Sequence, residues 1–204
     1  MTVLESPTGE PRHAAAPPTR RRGRELQQAI YQAVFEQLRE VGYAGLTMDG
    51  VAAAARTGKA PLYRRWPDKE ALLVDALRDR LPSADDIPLA GELRSDLIAI
   101  LRFLCSVCTI CADTALQMVK QQSEAVHAMM RERISEPTRR MILETLRAAE
   151  ERGDTRPGSA TALTAGVGPA VISYQNLTAP AELTDEFVMS VVDEVLLPML
   201  RGPA

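Results

Sequence analysis

The chain has 204 residues, 46% hydrophobic residues and a net charge of −3, which is enough for two modest domains with apolar cores. Its apolar runs fall well short of the roughly 20 residues of a membrane span, and charged residues and prolines interrupt any N-terminal signal-peptide core, so we expect a cytoplasmic protein. Residues 20–80 hold 12 Lys and Arg against 8 Asp and Glu, whereas residues 81–204 hold 11 against 17. The basic stretch favours a nucleic-acid partner, although ordinary surface variation gives similar counts.

Residues 1–19 contain four prolines and no apolar period, so we expect a disordered arm. Four arginines follow directly before the first predicted helix: Arg20, Arg21, Arg22 and Arg24. A basic arm in this place contacts phosphates or the adjacent minor groove in other DNA-binding domains. A solvated run of charge is the alternative.

Apolar residues at three- and four-residue steps predict a first helix over 24–41, ended by Gly42. The following stretch TMDGVAAAARTGKAPLYRRW, from Thr47 to Trp66, predicts two short helices joined by a tight turn. Thr47 is a good N-cap for the first of them, and the second begins at about Gly58. This is the size and chemistry of a helix-turn-helix, whose second helix lies in the DNA major groove.

The second of these helices carries the candidate DNA contacts. Its N-terminal end, from Lys59 to Pro61, is where a recognition helix meets base edges. Its C-terminal end is placed to flank phosphates, as is the start of a fourth helix predicted to run to about 81. The predicted DNA-binding residues are Arg21, Arg22, Arg24, Thr47, Lys59, Ala60, Pro61, Tyr63, Arg64, Trp66 and Lys69.

Residues 24–77 resemble the TetR family of transcriptional repressors. The resemblance includes VGYAGLT at 41–47, LYRRW at 62–66 and PDKEALL at 67–73, in order and at the family's spacing. It implies an operator-binding repressor that dimerises through two C-terminal helices and is released by a small-molecule effector. Arg56, Thr57, Gly58 and Pro61 depart from the usual residues of the turn and recognition helix. Arg56 fits only a turn that avoids or tolerates a positive φ, which costs a non-glycine residue about 1 kcal/mol.

Beyond a proline-bearing linker at 82–88, the apolar pattern is helical. The expected helices span 90–112, 114–123, 124–134, 136–152, 160–177 and 184–200. Pro169 is expected to kink the fifth of these helices, and Pro198 to distort the end of the sixth. The sequence therefore predicts an all-α protein with an arm at 1–19, a helix-turn-helix domain at 20–81, and a ligand-binding and dimerisation domain at 82–204.

The last two predicted helices form the expected dimer surface. One carries small residues that permit close approach, and the other carries an almost continuous apolar band. A core within one chain explains the same stripe, but the family resemblance and the two-fold symmetry of palindromic half-sites favour a homodimer. The expected interface residues are Gly166, Gly168, Ala170, Phe187, Val191 and Val195.

Bulky, adaptable side chains on the middle helices are candidates for an effector pocket, with core packing as the alternative. These candidates are Phe103, Cys108, Met118, Met129, Met130 and Tyr174. Cys105, Cys108 and Cys111 form a C-x-x-C-x-x-C pattern in apolar surroundings. Core packing, redox-sensitive thiols and a metal site are the possible interpretations. Because no second segment offers obvious ligands, we expect neither a metal nor a cofactor.

The sequence contains no Gly-rich phosphate loop, nucleophile elbow or HExxH motif that would organise catalysis. We therefore expect a DNA-binding regulator and not an enzyme. An effector-independent or thiol-responsive DNA binder is one alternative, and a helical protein-interaction scaffold is another.

Overall fold

The computed structural model describes residues 23–112 and 122–201, and all regular elements in these two stretches are helical, which confirms the all-α prediction. The first half contains α1 (Arg24–Gly45), α2 (Met48–Ala54), α3 (Lys59–Arg65) and α4 (Lys69–Arg80). A 3₁₀ turn, Ala84–Asp86, follows α4. The arm expected at 1–19 and most of the helix expected at 114–123 lie outside the described residues.

The second half begins with α5 and contains five further α-helices in the described residues. Its helices are α5 (Leu93–Ile110), α6 (Glu124–Met130), α7 (Glu136–Glu151), α8 (Thr164–Thr178), α9 (Asp185–Ser190) and α10 (Leu197–Arg201). Pro169 lies inside α8, and the helical run continues across it. None of the helices in the described ranges is long and apolar enough to cross a membrane.

Two π-helical segments each join two α-helices into one helical run. Arg131–Ser135 links α6 to α7, and Val191–Leu196 links α9 to α10. Each segment ends two residues before a proline, Pro137 or Pro198. A proline ring clashes with the carbonyl four residues earlier, and a widened turn relieves that clash. The predicted helix end near 134 is therefore wrong, because the chain runs as one helix through the π segment, and the predicted distortion at Pro198 is confirmed.

The four helices of the first half share one apolar core. Val34 and Leu38 of α1 pack with Leu62 of α3 and Leu72 of α4, and all four side chains are almost completely buried. Gly42 has a φ of 69°, which interrupts the regular α1 helix before its last turn. The predicted stop is thus confirmed as a break, although the chain coils once more before α2.

The first core continues into the second half of the chain. Phe103 and Val107 of α5 and Val126 and Met129 of α6 belong to the same cluster of buried side chains. A second cluster fills the space among α5, α7, α8 and the C-terminal helices. The first half is therefore seated on α5 and α6 by apolar packing and not by the linker alone.

Candidate DNA-binding face and effector cavity

The turn between α2 and α3 is closed by backbone hydrogen bonds around a residue with positive φ. The amide of Thr57 donates to the Ala52 carbonyl, and the amide of Arg56 donates to the Ala53 carbonyl. This pair of bonds forms a Schellman motif, which usually has glycine at the position that Arg56 occupies. Arg56 has a φ of 53°, so the turn places a non-glycine residue in the left-handed region and tolerates its strain, which is one of the two alternatives expected from the sequence. At the start of α2, the Thr47 hydroxyl accepts from the Gly50 amide at 3.0 Å, as an N-cap does.

α3 buries one face and leaves the other open to solvent. Leu62 is fully buried against the core, whereas Lys59, Ala60 and Arg64 are exposed, as is about half of Tyr63. Pro61 lies in the first turn and is half-buried. These four exposed residues belong to the predicted contact set and lie on one side of a short helix, while Arg65, which is also exposed, is not among the predicted contacts.

Lys59 is held by an acidic neighbour from α2. Its Nζ atom lies 2.5 Å from Oδ2 of Asp49, and both side chains are more than half exposed. The hydrogen bond to Asp49 raises the pKa of Lys59, so this group is a cation at neutral pH. Asp49 therefore sets the resting direction of the first side chain of α3.

Trp66 does not lie on the exposed face, so its prediction as a DNA contact is wrong. Its side chain is 4% exposed, and its indole Nε1 donates to Oδ2 of Asp75 at 2.9 Å. The large apolar ring is needed at the seam of α1, α3 and α4, where it packs against Tyr31 with ring centroids 6.0 Å apart. Asp75 is not among the residues predicted from the sequence; it is an acidic residue within the apolar run ALLVDAL.

Lys69 spans the start of α4 and the end of α1. Its Nζ donates to the carbonyl of Tyr43 at 3.0 Å and lies 4.8 Å from the centre of the Tyr43 ring. One of its three N–H donors is therefore used within the chain. Arg24 is exposed at the beginning of α1, and Arg21 and Arg22 lie outside the described residues.

A cavity of about 190 Å³ lies among α5, the π segment with the start of α7, and α8. Arg139 is the charged residue among its lining groups. Apolar and small polar side chains make up the rest of the wall: Leu104, Cys108, Ser135, Thr138, Gly166, Pro169, Ile172 and Ser173. Cys108, one of the predicted pocket residues, lines this cavity.

The other pocket candidates lie elsewhere. Phe103, Met129 and Met130 pack in or against the core that joins the two halves. Tyr174 is 68% exposed on α8 and does not line this cavity, so the structure does not support its assignment to the pocket. Met118 lies outside the described residues.

No disulfide joins the three cysteines, and Cys105 and Cys111 are buried. Burial, with a smaller contribution from Cys108, raises the pKa of Cys105 to about 11. Because the thiolate is the form that reacts with oxidants, Cys105 is poorly suited to redox sensing at neutral pH. The described residues contain no cluster of three His, Cys, Asp or Glu side chains with metal-site geometry.

Exposed apolar side chains lie at the start of α8, along it, and on the π segment of the C-terminal run. Leu163, Tyr174 and Leu177 are 81%, 68% and 83% exposed, and Val195 is 41% exposed. Ala170 is exposed on α8, while Gly166 and Phe187 are half-buried.

Two predicted interface residues lie inside the subunit instead. A Cβ atom on Gly168 would approach side-chain carbons of Leu101 and Leu196 at 3.0 and 3.2 Å, and Val191 is 3% exposed. The assignment of these two to a dimer surface is wrong, because close packing within the chain already covers them.

Comparison with known proteins agrees with this architecture. The family model for bacterial regulatory proteins of the tetR family matches residues 30–76, and that for the tetracyclin repressor-like C-terminal domain matches residues 87–195. These helices and this helix-turn-helix define a DNA-binding transcriptional regulator. The chain belongs to the TetR family.

Several relatives match over most of their length. The DNA-binding transcriptional repressor TetR of Mycobacteroides abscessus is 29% identical over 187 residues, covering 90% of this chain and 98% of that protein. An HTH-type transcriptional regulator of Mycobacterium tuberculosis is 28% identical over 165 residues, covering 80% and 82%. The crystal structure of Bacillus subtilis FadR in complex with stearoyl-CoA shares the fold, with a TM-score of 0.61 at 16% identity over 87% of this chain and 99% of that one.

Proposed function

We propose that this regulator is a homodimeric repressor that binds a palindromic operator through two copies of α3 and is released by a small effector. The observation that carries this proposal is that α3 buries Leu62 in the core and exposes its opposite face to solvent. One such helix reads only a few base pairs, so two copies at fixed spacing are needed to define a site in a genome.

The roles within the DNA-binding face follow from position. Lys59, Ala60 and Pro61 occupy the N-terminal end of α3 and face base edges in this proposal, whereas Tyr63 and Arg64 flank phosphates. Lys69 keeps free N–H donors for a phosphate after its bond to the Tyr43 carbonyl. Arg21, Arg22 and Arg24 add electrostatic affinity that depends on salt, and Thr47 holds the start of α2.

The cavity beside Cys108 is the proposed effector site. Its volume of about 190 Å³ is below the roughly 300–1,000 Å³ of common ligand pockets, which favours a small effector. Leu104, Pro169 and Ile172 supply apolar contacts, and the Arg139 guanidinium supplies hydrogen-bond donors for an oxygen of the ligand. Gly166 and Pro169 of α8 line the cavity, and α8 also carries exposed apolar side chains, so a ligand there acts on the helix that a partner subunit would contact.

Release would follow from a shift between two arrangements of the dimer. In one arrangement the two α3 helices match successive major grooves of the operator, and in the other they do not. An effector that binds the second arrangement more tightly lowers operator affinity, by at most the difference between its binding free energies for the two arrangements. The wall of the cavity includes Ser135 and Thr138 from the helical run that begins at α6, and α6 packs directly on α4. A change in the cavity therefore has a continuous packed route to the DNA-binding half.

Selection of bound duplexes from fragmented genomic DNA tests the proposal. We expect a recovered site with two inverted half-sites, bound by the wild type with sequence preference that Lys59→Ala alters. Small carboxylic acids and apolar compounds are then screened for release of the labelled site, with Arg139→Gln as the cavity variant. Recovery of no preferred sequence, or of a single unpaired half-site, would contradict the proposed mode of binding.

A further inference from the structure

We propose that Asp75 is a positioning residue for DNA recognition, because its carboxylate clasps the end of α3 between α1 and α4. This inference rests on the proposal that α3 reads bases. The Oδ2 atom of Asp75 accepts two hydrogen bonds, from the Tyr31 hydroxyl at 2.6 Å and from Nε1 of Trp66 at 2.9 Å. The three residues belong to α4, α1 and the C-terminal boundary of α3, respectively.

The two bonds are part of a longer chain of side-chain hydrogen bonds. Arg65 donates to Oε1 of Gln27 at 2.9 Å, and Nε2 of Gln27 donates to the Tyr31 hydroxyl at 2.6 Å. Arg65 and Trp66 are consecutive in the chain, so the bonds form a closed ring that runs from Arg65 through α1 and Asp75 back to Trp66. Two members of this ring are charged, the Arg65 guanidinium and the Asp75 carboxylate. Hydrogen bonds that involve a charged group are stronger than those between neutral groups.

Burial gives this ring its consequence. Tyr31 and Trp66 are 3% and 4% exposed, so in the folded chain the half-buried carboxylate of Asp75, and not bulk water, satisfies both donors. Burial and the hydrogen bond to Asp75 raise the pKa of Tyr31 to about 12, so its hydroxyl remains a donor at neutral pH. The two donors therefore fix Asp75, and Asp75 fixes them.

The position of α3 depends on few other constraints. α3 has seven residues, and Leu62 is its one fully buried side chain. Leu62 fixes the depth of α3 in the core, but one buried side chain within the helix does not fix rotation about that contact, and the next buried side chain is Trp66 at its C-terminal boundary. The Asp75 ring holds the C-terminal end against both neighbouring helices, which fixes the direction of the N-terminal end where Lys59 lies. Base-edge contacts depend on that direction more than phosphate contacts do.

The test compares Asp75→Ala with Asp75→Asn and with a matched core variant, Val34→Ala, in the full-length chain. The amide oxygen of Asn can still accept both bonds, whereas Ala accepts neither. Val34 is fully buried on α1 and takes no part in the hydrogen-bonded ring. Its truncation should therefore lower the Tm while both hydrogen bonds to Asp75 keep their donors and acceptor. At a temperature where all variants are folded, we expect Asp75→Ala to weaken selected-site binding about tenfold, the size of one or two lost hydrogen bonds, with non-specific binding nearly unchanged. Asp75→Asn should retain most of the preference.

Amide hydrogen exchange reads the position of α3 without DNA. The Trp66 amide donates to the Leu62 carbonyl at 2.9 Å, and we expect it to exchange faster in Asp75→Ala than in Val34→Ala, relative to amides of α2. Equal exchange and equal loss of site preference in these two variants would overturn the positioning role and leave Asp75 as a contributor to stability. A wild type without any sequence preference would contradict the proposed function, whereas the exchange result would still decide the role of Asp75.

Discussion

The Ser123 hydroxyl lies 2.5 Å from Oε1 of Glu70 and donates a hydrogen bond to it. Glu70 is in the first turn of α4, and Ser123 is the N-cap of α6, where its oxygen also accepts from the Val126 amide at 3.2 Å. Ser123 is 3% exposed and Glu70 is half-buried, so the bond is partly shielded from water. One partly buried polar contact thus joins the DNA-binding half to the half that contains the cavity.

Glu70→Ala is expected to lower the free energy of unfolding by about 2 kcal/mol, because a buried hydroxyl loses a charged acceptor. Ser123→Ala should cost about 1 kcal/mol more, since it also removes the N-cap of α6. Urea unfolding of each variant measures both values. Glu70→Gln keeps an acceptor oxygen and serves as the control. Equal stability of Glu70→Ala and wild type would show that this contact does not couple the halves.

Removal of the Asp49 carboxylate is expected to strengthen DNA binding. Lys59 is held on Asp49, and a neutral Asn at that position keeps an acceptor oxygen but removes the attracting charge, so the ammonium leaves it more readily for a phosphate or a base. One additional phosphate contact steepens the slope of log K against log salt by about 0.9. Binding titrations from low to moderate salt measure the slope.

Glu186→Gln is the control for Asp49→Asn, because it removes one exposed negative charge from α9 without freeing a cation of α3. A general effect of net charge would change both variants alike. If Asp49→Asn binds with the wild-type slope, Lys59 is not restrained from DNA by this ion pair.

Replacement of Arg56 by glycine is expected to stabilise the fold by up to about 1 kcal/mol. Arg56 has a φ of 53° in the Schellman turn between α2 and α3, where glycine has no Cβ penalty. The greater freedom of glycine in the unfolded chain offsets part of this gain. Thermal unfolding of Arg56→Gly against Arg56→Ala isolates the backbone, since both lose the guanidinium. A Tm for Arg56→Gly at or below that of Arg56→Ala would refute the strain.

The contact between α5 and the C-terminal run should weaken in acid. Arg94 binds Asp193 through two hydrogen bonds of 2.7 Å, and these bonds lower the pKa of Asp193 below its ordinary value. A depressed carboxyl pKa contributes stability above the unfolded value, near 3.9, and loses it as the pH falls through the folded value. Thermal unfolding between pH 6 and pH 3 should therefore show a shallower acid decline for Asp193→Asn than for the wild type. Parallel declines would contradict the contribution of this pair.

The sequence predicts the helix-turn-helix well because its determinants are local. Thr47 as N-cap, Leu62 as the inward residue and Lys59 as an exposed one all follow from spacing within a few residues. The surroundings of Trp66 are not local in this sense. Asp75, its hydrogen-bond partner, belongs to the next helix, and Tyr31, which also binds Asp75, lies 44 residues before Asp75 in the chain. An aromatic residue with an N–H group in a basic stretch has the same pattern whether it lies against DNA or in a seam.

Small residues have the same ambiguity. Gly168 permits close approach of another helix, and the pattern cannot distinguish a helix of the same chain from a helix of a partner. The structure places Leu101 and Leu196 of the same chain against it. The outward side of α8 carries larger apolar side chains, among them Tyr174 and Leu177.

The proposed dimer is therefore expected to depend on the large exposed residues of α8 and not on Gly168. Leu177 is 83% exposed and Tyr174 is 68% exposed on the same helix, and a monomer gains nothing from presenting them to water. Leu177→Glu should place a charge in the proposed interface without disturbing the subunit core, and should separate the subunits at micromolar concentration. Sedimentation velocity measures the change. Binding to a two-half-site operator should fall by orders of magnitude, while helical content by circular dichroism stays nearly constant.

Leu89→Glu is the matched control, because Leu89 is also an exposed leucine, at 44%, but lies in the linker before α5. It adds the same charge and should leave the dimer and operator binding unchanged. Because Leu177 is 83% exposed within one subunit, its replacement removes little packing there and should change the stability of the subunit little. A wild type that sediments as a monomer, or a Leu177→Glu variant that remains dimeric, would refute α8 as the dimer surface.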